Sequence, residues 1–246
     1  MGWLLNMKIN LIKDFIVYIL IYFLPLLVFW KLSLNKSRKK ITLLVISILY
    51  IAFSIFTQNL LPFILILICI RYLKYDIELY DDYYKYNFGF KDLNFIKALK
   101  YSIFSYMLTL IIATLALSFF SVFKVPLKEQ EIVTIMAKLP LKKFIIMMPV
   151  TIIFAPVVEE FIFRWLLFEK VFKDKVGIYL SAFITSLIFS IVHFNIKSFP
   201  AIFWIGLFNC FLINKKGYWY AVINHSIFNS ISTFVLLFGK LGIINI

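Results

Sequence analysis

The sequence is poor in charged residues, glycine and cysteine. Of its 246 residues, 15% are charged, 7 are glycine and 2 are cysteine, whereas 63% are hydrophobic and 20% are aromatic. Because an average soluble domain has about a quarter of its residues charged, this composition excludes a water-soluble protein. The two cysteines, Cys69 and Cys210, both lie in apolar runs. Their small number excludes a disulfide framework and a cysteine-based zinc site.

The charged residues that are present are mostly basic, 26 Lys and Arg against 12 Asp and Glu, for a net charge of +14. In a polar protein such an excess indicates nucleic-acid binding. Here the basic residues stand in short clusters between long apolar runs, as they do in the cytoplasmic loops of membrane proteins. We therefore expect a multi-pass integral membrane protein that contacts the lipid bilayer and has no nucleic-acid partner.

Apolar runs near the bilayer-spanning length of about 20 residues predict an all-α fold, a polytopic bundle of about eight transmembrane helices. The predicted spans are 11–30, 41–56, 59–73, 101–123, 143–168, 177–194, 199–213 and 218–238. The second and third spans are short and meet at a turn, so one bent or re-entrant element, and hence seven spans, is the alternative. Residues 126–139 have apolar residues near helical spacing, which predicts a short amphipathic helix in the membrane interface.

No internal repeat, glycine-rich phosphate loop or long linker divides the chain. We expect a single integral membrane domain over residues 1–246. Within it, residues 1–142 would supply accessory helices and the interfacial segment. Residues 143–238 would supply the helices that carry the polar motifs described next.

Ionisable side chains are rare inside the predicted spans, and they cluster in the second half of the chain. Such a side chain at the bilayer centre costs about 2.5–3.5 kcal/mol even on insertion scales, so each one marks a candidate functional site. Away from the span ends they are Glu159, Glu160, Arg164, His193 and His225. Both histidines of the protein are in this set.

The two adjacent glutamates, Glu159 and Glu160, can reach different partners on a helix. Glu160 and Arg164 are four residues apart with the acid first, the favourable order for an ion pair. Such a pair could serve only to hold the helices together, without a part in catalysis. Glu159 points about 100° away and lacks that partner. A poorly solvated glutamate without a cation suits general acid or base catalysis. Pro156 removes a backbone donor, which predicts a kink just before the pair.

His225 and Asn229 are also four residues apart, and two neutral donors on one helix face suit the stabilisation of an oxyanion. Zinc is the competing interpretation, with Glu159, His193 and His225 as ligands. However, the zinc-protease signature H-E-x-x-H is absent, and so is the serine-hydrolase signature G-x-S-x-G. We therefore predict no cofactor, with zinc as the minority alternative.

Three motifs follow one another in these apolar runs. They are E-E-x-x-x-R at Glu159, Glu160 and Arg164, F-x-x-x-H at Phe189 and His193, and H-x-x-x-N at His225 and Asn229. In this order, over about 150–235, they resemble the CPBP family of intramembrane endopeptidases, the CAAX proteases and bacteriocin-processing enzymes also called Abi. The resemblance implies hydrolysis of peptide bonds inside the membrane, at an active site between helices of the second half, by a glutamate-type mechanism.

The resemblance also implies a role for each matching position. Glu159 and His193 would hold and deprotonate the attacking water. His225 and Asn229 would stabilise the tetrahedral oxyanion. The supporting pair Glu160 and Arg164 would order the site.

The expected function is therefore an intramembrane endopeptidase acting on a membrane-associated peptide or protein. A chain rich in Ile, Phe, Lys, Asn and Tyr favours a bacterial source. The family then implies peptide maturation, regulation or bacteriocin self-immunity in the bacterial cytoplasmic membrane. Two alternatives remain, a non-catalytic membrane immunity or regulatory binding protein that retains the site residues, and a small transporter or proton relay.

Overall fold

The computed structural model describes residues 11–34, 39–57, 59–76, 78–90 and 93–244, which form ten helices and no strand. The helices are α1 (Leu11–Leu34), α2 (Lys40–Thr57), α3 (Leu60–Leu73), α4 (Tyr80–Lys85), α5 (Phe95–Val122), α6 (Glu131–Lys138), α7 (Leu141–Val176), α8 (Ile178–Ile191), α9 (Phe199–Lys215) and α10 (Tyr218–Lys240). The predicted all-α helical bundle is confirmed.

Apolar helices occupy all eight of the predicted spans. Four of the described helices, α1, α5, α7 and α10, are long and apolar enough to cross a membrane, and four shorter apolar helices accompany them. The second and third predicted spans form two separate helices, α2 and α3, which contact each other. Residue 58, in the predicted turn between them, lies outside the described residues. The amphipathic helix predicted within 126–139 is present as α6.

Helix α7 lies at the centre of the bundle. Helices α8, α9 and α10 from the second half pack against it, and α3 from the first half packs against its Ala155–Glu160 stretch. Its middle is apolar on several sides, as expected for a helix surrounded by others. The buried apolar side chains there are Val157, Val158, Phe161, Ile162, Phe163, Trp165 and Phe168. The motif residues of α7 are therefore set in the middle of the packed bundle.

Helix α7 continues through Pro156, and its winding changes next to this residue. The helix is π-wound at Val150–Phe154, α-wound at Ala155–Glu160 and π-wound again at Phe161–Phe172. The Ala155 amide donates to the carbonyl of Val150. The next donor in this pattern would be Pro156, which has no N–H. The Thr151 carbonyl instead accepts a hydrogen bond from Asn229 Nδ2 at 2.8 Å. The predicted kink is thus a π-wound segment, a feature common at functional sites.

The segment between α3 and α5 is bonded to the start of α10. The Tyr218 amide donates to the Tyr86 carbonyl at 2.7 Å, and Trp219 Nε1 donates to the Phe88 carbonyl at 2.9 Å. This close approach needs a glycine at position 217, where φ is +109° and an added Cβ would lie 2.7 Å from the Asn87 Cβ. The contact fixes one end of the helix that carries the third motif.

We expect Gly217→Ala to destabilise the protein, because alanine is strained at this φ and its methyl group would collide with the docked segment. The loss should exceed about 1 kcal/mol, the scale of an incompatible Gly→Ala change. The measurement is the apparent melting temperature in detergent. Gly177→Ala is the matched control, since Gly177 also has a positive φ, +79°, but nothing within 4 Å of an added Cβ. Equal losses in the two variants would contradict the importance of this docking.

Candidate active site

The three sequence motifs meet at one cavity of about 480 Å³. Glu159 reaches it from α7, and His225 and Asn229 reach it from α10. His193 reaches it from the segment that follows α8. Side chains of α6, of the first half of α7 and of the rest of α10 also line it, together with Tyr22 and Asn59. Motif residues separated by up to 70 positions in the sequence thus share one space.

Glu159 faces this cavity with its side chain 19% exposed. Its Oε2 lies 3.7 Å from His225 Nε2, which is too long for a hydrogen bond. This gap leaves both atoms open to a small molecule in the cavity. A carboxylate beside an imidazole ring is a pair of groups that can take a proton from water.

Glu160 points away from the cavity and forms the ion pair predicted with Arg164. Arg164 Nε lies 3.1 Å from Glu160 Oε2, and both side chains are fully buried. The guanidinium also lies over the ring of Phe189, with Cζ 4.4 Å from the ring centroid. This cation–π contact offsets part of the cost of burying the charge.

The other oxygen of Glu160 makes contacts that the sequence did not reveal. Its Oε1 accepts hydrogen bonds from His225 Nδ1 at 2.8 Å and from Asn209 Nδ2 at 2.9 Å. Asn209 Oδ1 in turn accepts from Asn224 Nδ2 at 2.8 Å. Both asparagines are fully buried. They could have been singled out as polar residues in apolar helices, which usually find a partner on another helix.

The sequence predicted that His193 lies within a helix, but in the structure it does not. Helix α8 ends at Ile191, and His193 lies in the turn that follows, near Phe194 with its φ of +49°. Its Nδ1 lies 2.6 Å from the Phe189 carbonyl. The prediction was wrong because the residues of this turn continue the apolar run of the helix.

The ring of Phe189 packs against both histidines. Its centroid lies 4.8 Å from that of His193 and 5.8 Å from that of His225, in edge-to-face geometry. Phe189 is almost completely buried. This single side chain therefore packs between the two imidazole rings.

Asn229 uses one amide hydrogen for the scaffold, since its Nδ2 donates to the Thr151 carbonyl of α7. A primary amide has two such hydrogens. The second one remains for a ligand of the cavity that Asn229 lines.

Residues 141–231 match the family model described as Type II CAAX prenyl endopeptidase Rce1-like, which belongs to the CPBP family. This stretch of the chain is similar to that family. The match includes all three motifs, and it confirms the resemblance drawn from them. A comparison with curated proteins and with solved structures found no match. The family implies a CAAX-type intramembrane protease, with a peptide as substrate and the bilayer as its surroundings.

Metal binding in the cavity is a separate question. Among the described residues, no group of three or more His, Cys, Asp and Glu side chains is arranged to hold a metal ion. Glu159, His193 and His225 nevertheless share the cavity, and carboxylate oxygen and imidazole nitrogen are the atoms that bind catalytic zinc. The expectation of no cofactor, with zinc at these three residues as the alternative, remains a prediction.

Helix α6 lies beside the cavity. Its apolar residues Ile132, Val133, Ile135 and Met136 line the cavity. Beyond its C-terminal end, Lys240 Nζ donates to the Leu139 carbonyl at 2.6 Å, and before its N-terminal end Gln130 Nε2 donates to Ser198 Oγ at 2.8 Å. The apolar face of the predicted amphipathic helix is thus directed at the site.

We expect Arg164→Met to unfold at a lower temperature than the unaltered protein. Removing one partner of a buried ion pair leaves an uncompensated charge and costs about 3–5 kcal/mol. The measurement is thermal unfolding in detergent, followed by tryptophan fluorescence. Arg164→Lys keeps the positive charge and should lose less stability. An Arg164→Met variant as stable as the unaltered protein would contradict the structural role of the pair.

Proposed function

We propose that this protein hydrolyses a peptide bond of a membrane-associated peptide or protein with a water molecule activated by Glu159 and His193. One observation carries this proposal. Glu159, His193, His225 and Asn229 line a single cavity, whereas Glu160 and Arg164 are fully buried behind it. The groups that could react with a substrate are therefore separated from the groups that only hold them.

The chemistry assigned to these residues follows from their atoms. The Glu159 carboxylate and the His193 ring can accept the hydrogens of one water, which raises its nucleophilicity. Asn229 has an amide hydrogen left for the oxyanion that forms when water attacks a carbonyl. His225 Nε2 lies 3.7 Å from Glu159 Oε2 in the same cavity and would stabilise the oxyanion once it carries a proton.

The cavity suits part of a peptide chain. Its volume of about 480 Å³ lies in the range of small-molecule and peptide sites, about 300–1,000 Å³. Its walls from α6 and α7 include Ile132, Ile135, Met136 and Val150, which favour apolar substrate side chains. A membrane-associated substrate would supply such side chains.

The biological role we propose is bacterial peptide maturation, regulation or bacteriocin self-immunity, in the cytoplasmic membrane. The sequence composition supports a bacterial source, and the long apolar helices support the membrane. The alternative is an immunity or regulatory protein that binds a membrane partner with the same residues. The endopeptidase and the binding protein differ in one expectation. A variant without a reactive Glu159 would keep the biological effect only if the protein acts by binding.

We expect Glu159→Gln to lose at least about 100-fold in cleavage rate, since general base catalysis contributes about 10²–10⁴-fold. The protein in lipid vesicles is incubated with a prenylated CAAX peptide and a panel of apolar peptides in water enriched in ¹⁸O. Mass spectrometry then detects new carboxyl ends that carry the label, as hydrolysis requires.

The matched control is Glu131→Gln, which makes the same change on the exposed surface of α6. It should cleave at the unaltered rate. Labelled cleavage that persists in Glu159→Gln would refute the proposed role of Glu159. A protein that cuts no peptide, but whose Glu159→Gln variant keeps its effect in cells, would favour the binding alternative.

We also expect peptide cleavage to survive removal of metal ions. The protein is dialysed against 1,10-phenanthroline, and cleavage of the same peptides is measured before and after addition of zinc. An unchanged rate supports the glutamate-type mechanism. Loss of cleavage that zinc restores would establish the zinc alternative at Glu159, His193 and His225.

A further inference from the structure

A chain of buried hydrogen bonds leads from α9 and α10 to His225. Asn224 Nδ2 donates to Asn209 Oδ1 at 2.8 Å, and Asn209 Nδ2 donates to Glu160 Oε1 at 2.9 Å. All three side chains are fully buried. A carboxylate only accepts hydrogen bonds, so the direction of the chain is fixed at its Glu160 end.

The same Glu160 oxygen receives the hydrogen of His225. Nδ1 of His225 lies 2.8 Å from Oε1, and because this oxygen accepts, Nδ1 must carry the hydrogen. The other oxygen, Oε2, is occupied by the charge of Arg164 at 3.1 Å. Glu160 is therefore held from both sides, and it cannot turn away from the His225 ring without breaking a buried contact.

The hydrogen on Nδ1 decides what His225 presents to the cavity. A neutral imidazole has one N–H and one lone pair. With the hydrogen directed at Glu160, the lone pair of Nε2 faces Glu159 Oε2, 3.7 Å away. A neutral His225 is then an acceptor on the cavity side. It can donate to an oxyanion only after Nε2 has gained a proton.

His193 also carries its hydrogen on Nδ1, but a different acceptor holds it there. Its Nδ1 lies 2.6 Å from the Phe189 carbonyl, which also only accepts, so Nδ1 again carries the hydrogen. Its tautomer depends on a backbone atom of its own segment. It therefore does not depend on Asn209, and the two histidines can be separated by experiment.

From this geometry we infer that Asn209 and Asn224 are positioning residues that hold Glu160, and that Glu160 thereby fixes His225 as the Nδ1–H tautomer with its Nε2 lone pair on the cavity side. Only the expected effect of these residues on the cleavage rate rests on the proposed hydrolysis. The tautomer itself is a property of the free protein.

The experiment uses solid-state NMR of the full chain in lipid vesicles with ¹⁵N-labelled histidine. The chain has only 2 histidines, so each ring is assigned from His193→Gln and His225→Gln. In the unaltered protein, the hydrogen should lie on Nδ1 of both rings. Asn209→Leu should shift or broaden the nitrogen signals of His225 and leave those of His193 unchanged.

Asn214→Leu is the matched control, because Asn214 is also on α9 and donates to a glutamate, Glu169, at 3.1 Å. It should leave both rings unchanged. If Asn209→Leu fails to fold, Asn224→Ala removes the next bond of the chain and should change the His225 signals in the same sense. A hydrogen on Nε2 of His225 in the unaltered protein, or unchanged His225 signals in the variants, would overturn the inference.

The rate provides a second readout with the prenylated CAAX peptide. Asn209→Leu should lower kcat by about 10–100-fold, as loss of such supporting bonds does at other sites, with KM nearly unchanged. Asn214→Leu should not alter either constant. An unchanged kcat in Asn209→Leu would contradict the positioning role. If the unaltered protein cuts nothing, the proposed function fails, whereas the tautomer measurement still decides the inference.

Discussion

The buried carboxylate of Glu160 is the interaction on which the rest of the site depends. It contacts Arg164 within α7, His225 on α10 and Asn209 on α9, so one side chain joins three helices. In a position without exposed surface, a carboxylate is tolerated only when it is paired and hydrogen-bonded. None of the three helices can rotate without leaving a charge or a donor unmatched. Apolar packing holds the helices together, and this carboxylate determines how they face one another.

The adjacency of the two glutamates follows from this arrangement. Neighbouring residues on a helix point about 100° apart, so two consecutive acids cannot enter the same space. Glu160 is directed into the packed interior, and Glu159 is directed into the cavity with its side chain 19% exposed. One acid holds the neighbouring helices while the next meets the solvent of the site. The two positions are therefore not interchangeable, although they carry the same side chain.

The sequence predicted what belongs to a single helix and missed what lies between helices. Hydropathy located the helices, and the four-residue spacing predicted the pair of Glu160 and Arg164, because both are properties of local geometry. The bond from Glu160 to His225 joins residues 65 positions apart. It depends on how α7 and α10 pack, and the spacing of residues in the sequence carries no information about that packing. Asn209 gave no signal beyond its polarity. His193 was placed in a helix, because hydropathy does not distinguish an apolar turn from the end of an apolar helix.

The side chains proposed to act on substrate share one pattern of attachment. His193 directs Nδ1 at the Phe189 carbonyl, His225 directs Nδ1 at Glu160, and Asn229 directs Nδ2 at the Thr151 carbonyl. Each uses one hydrogen to hold its position and keeps a lone pair or a second hydrogen for the cavity side. Groups that are oriented before the reaction incur no reorganisation cost when charge develops, which is the main source of electrostatic catalysis. Pro156, three residues before the first motif, has no N–H to offer the carbonyls of the preceding turn, and one of these, that of Thr151, holds the asparagine of the third motif.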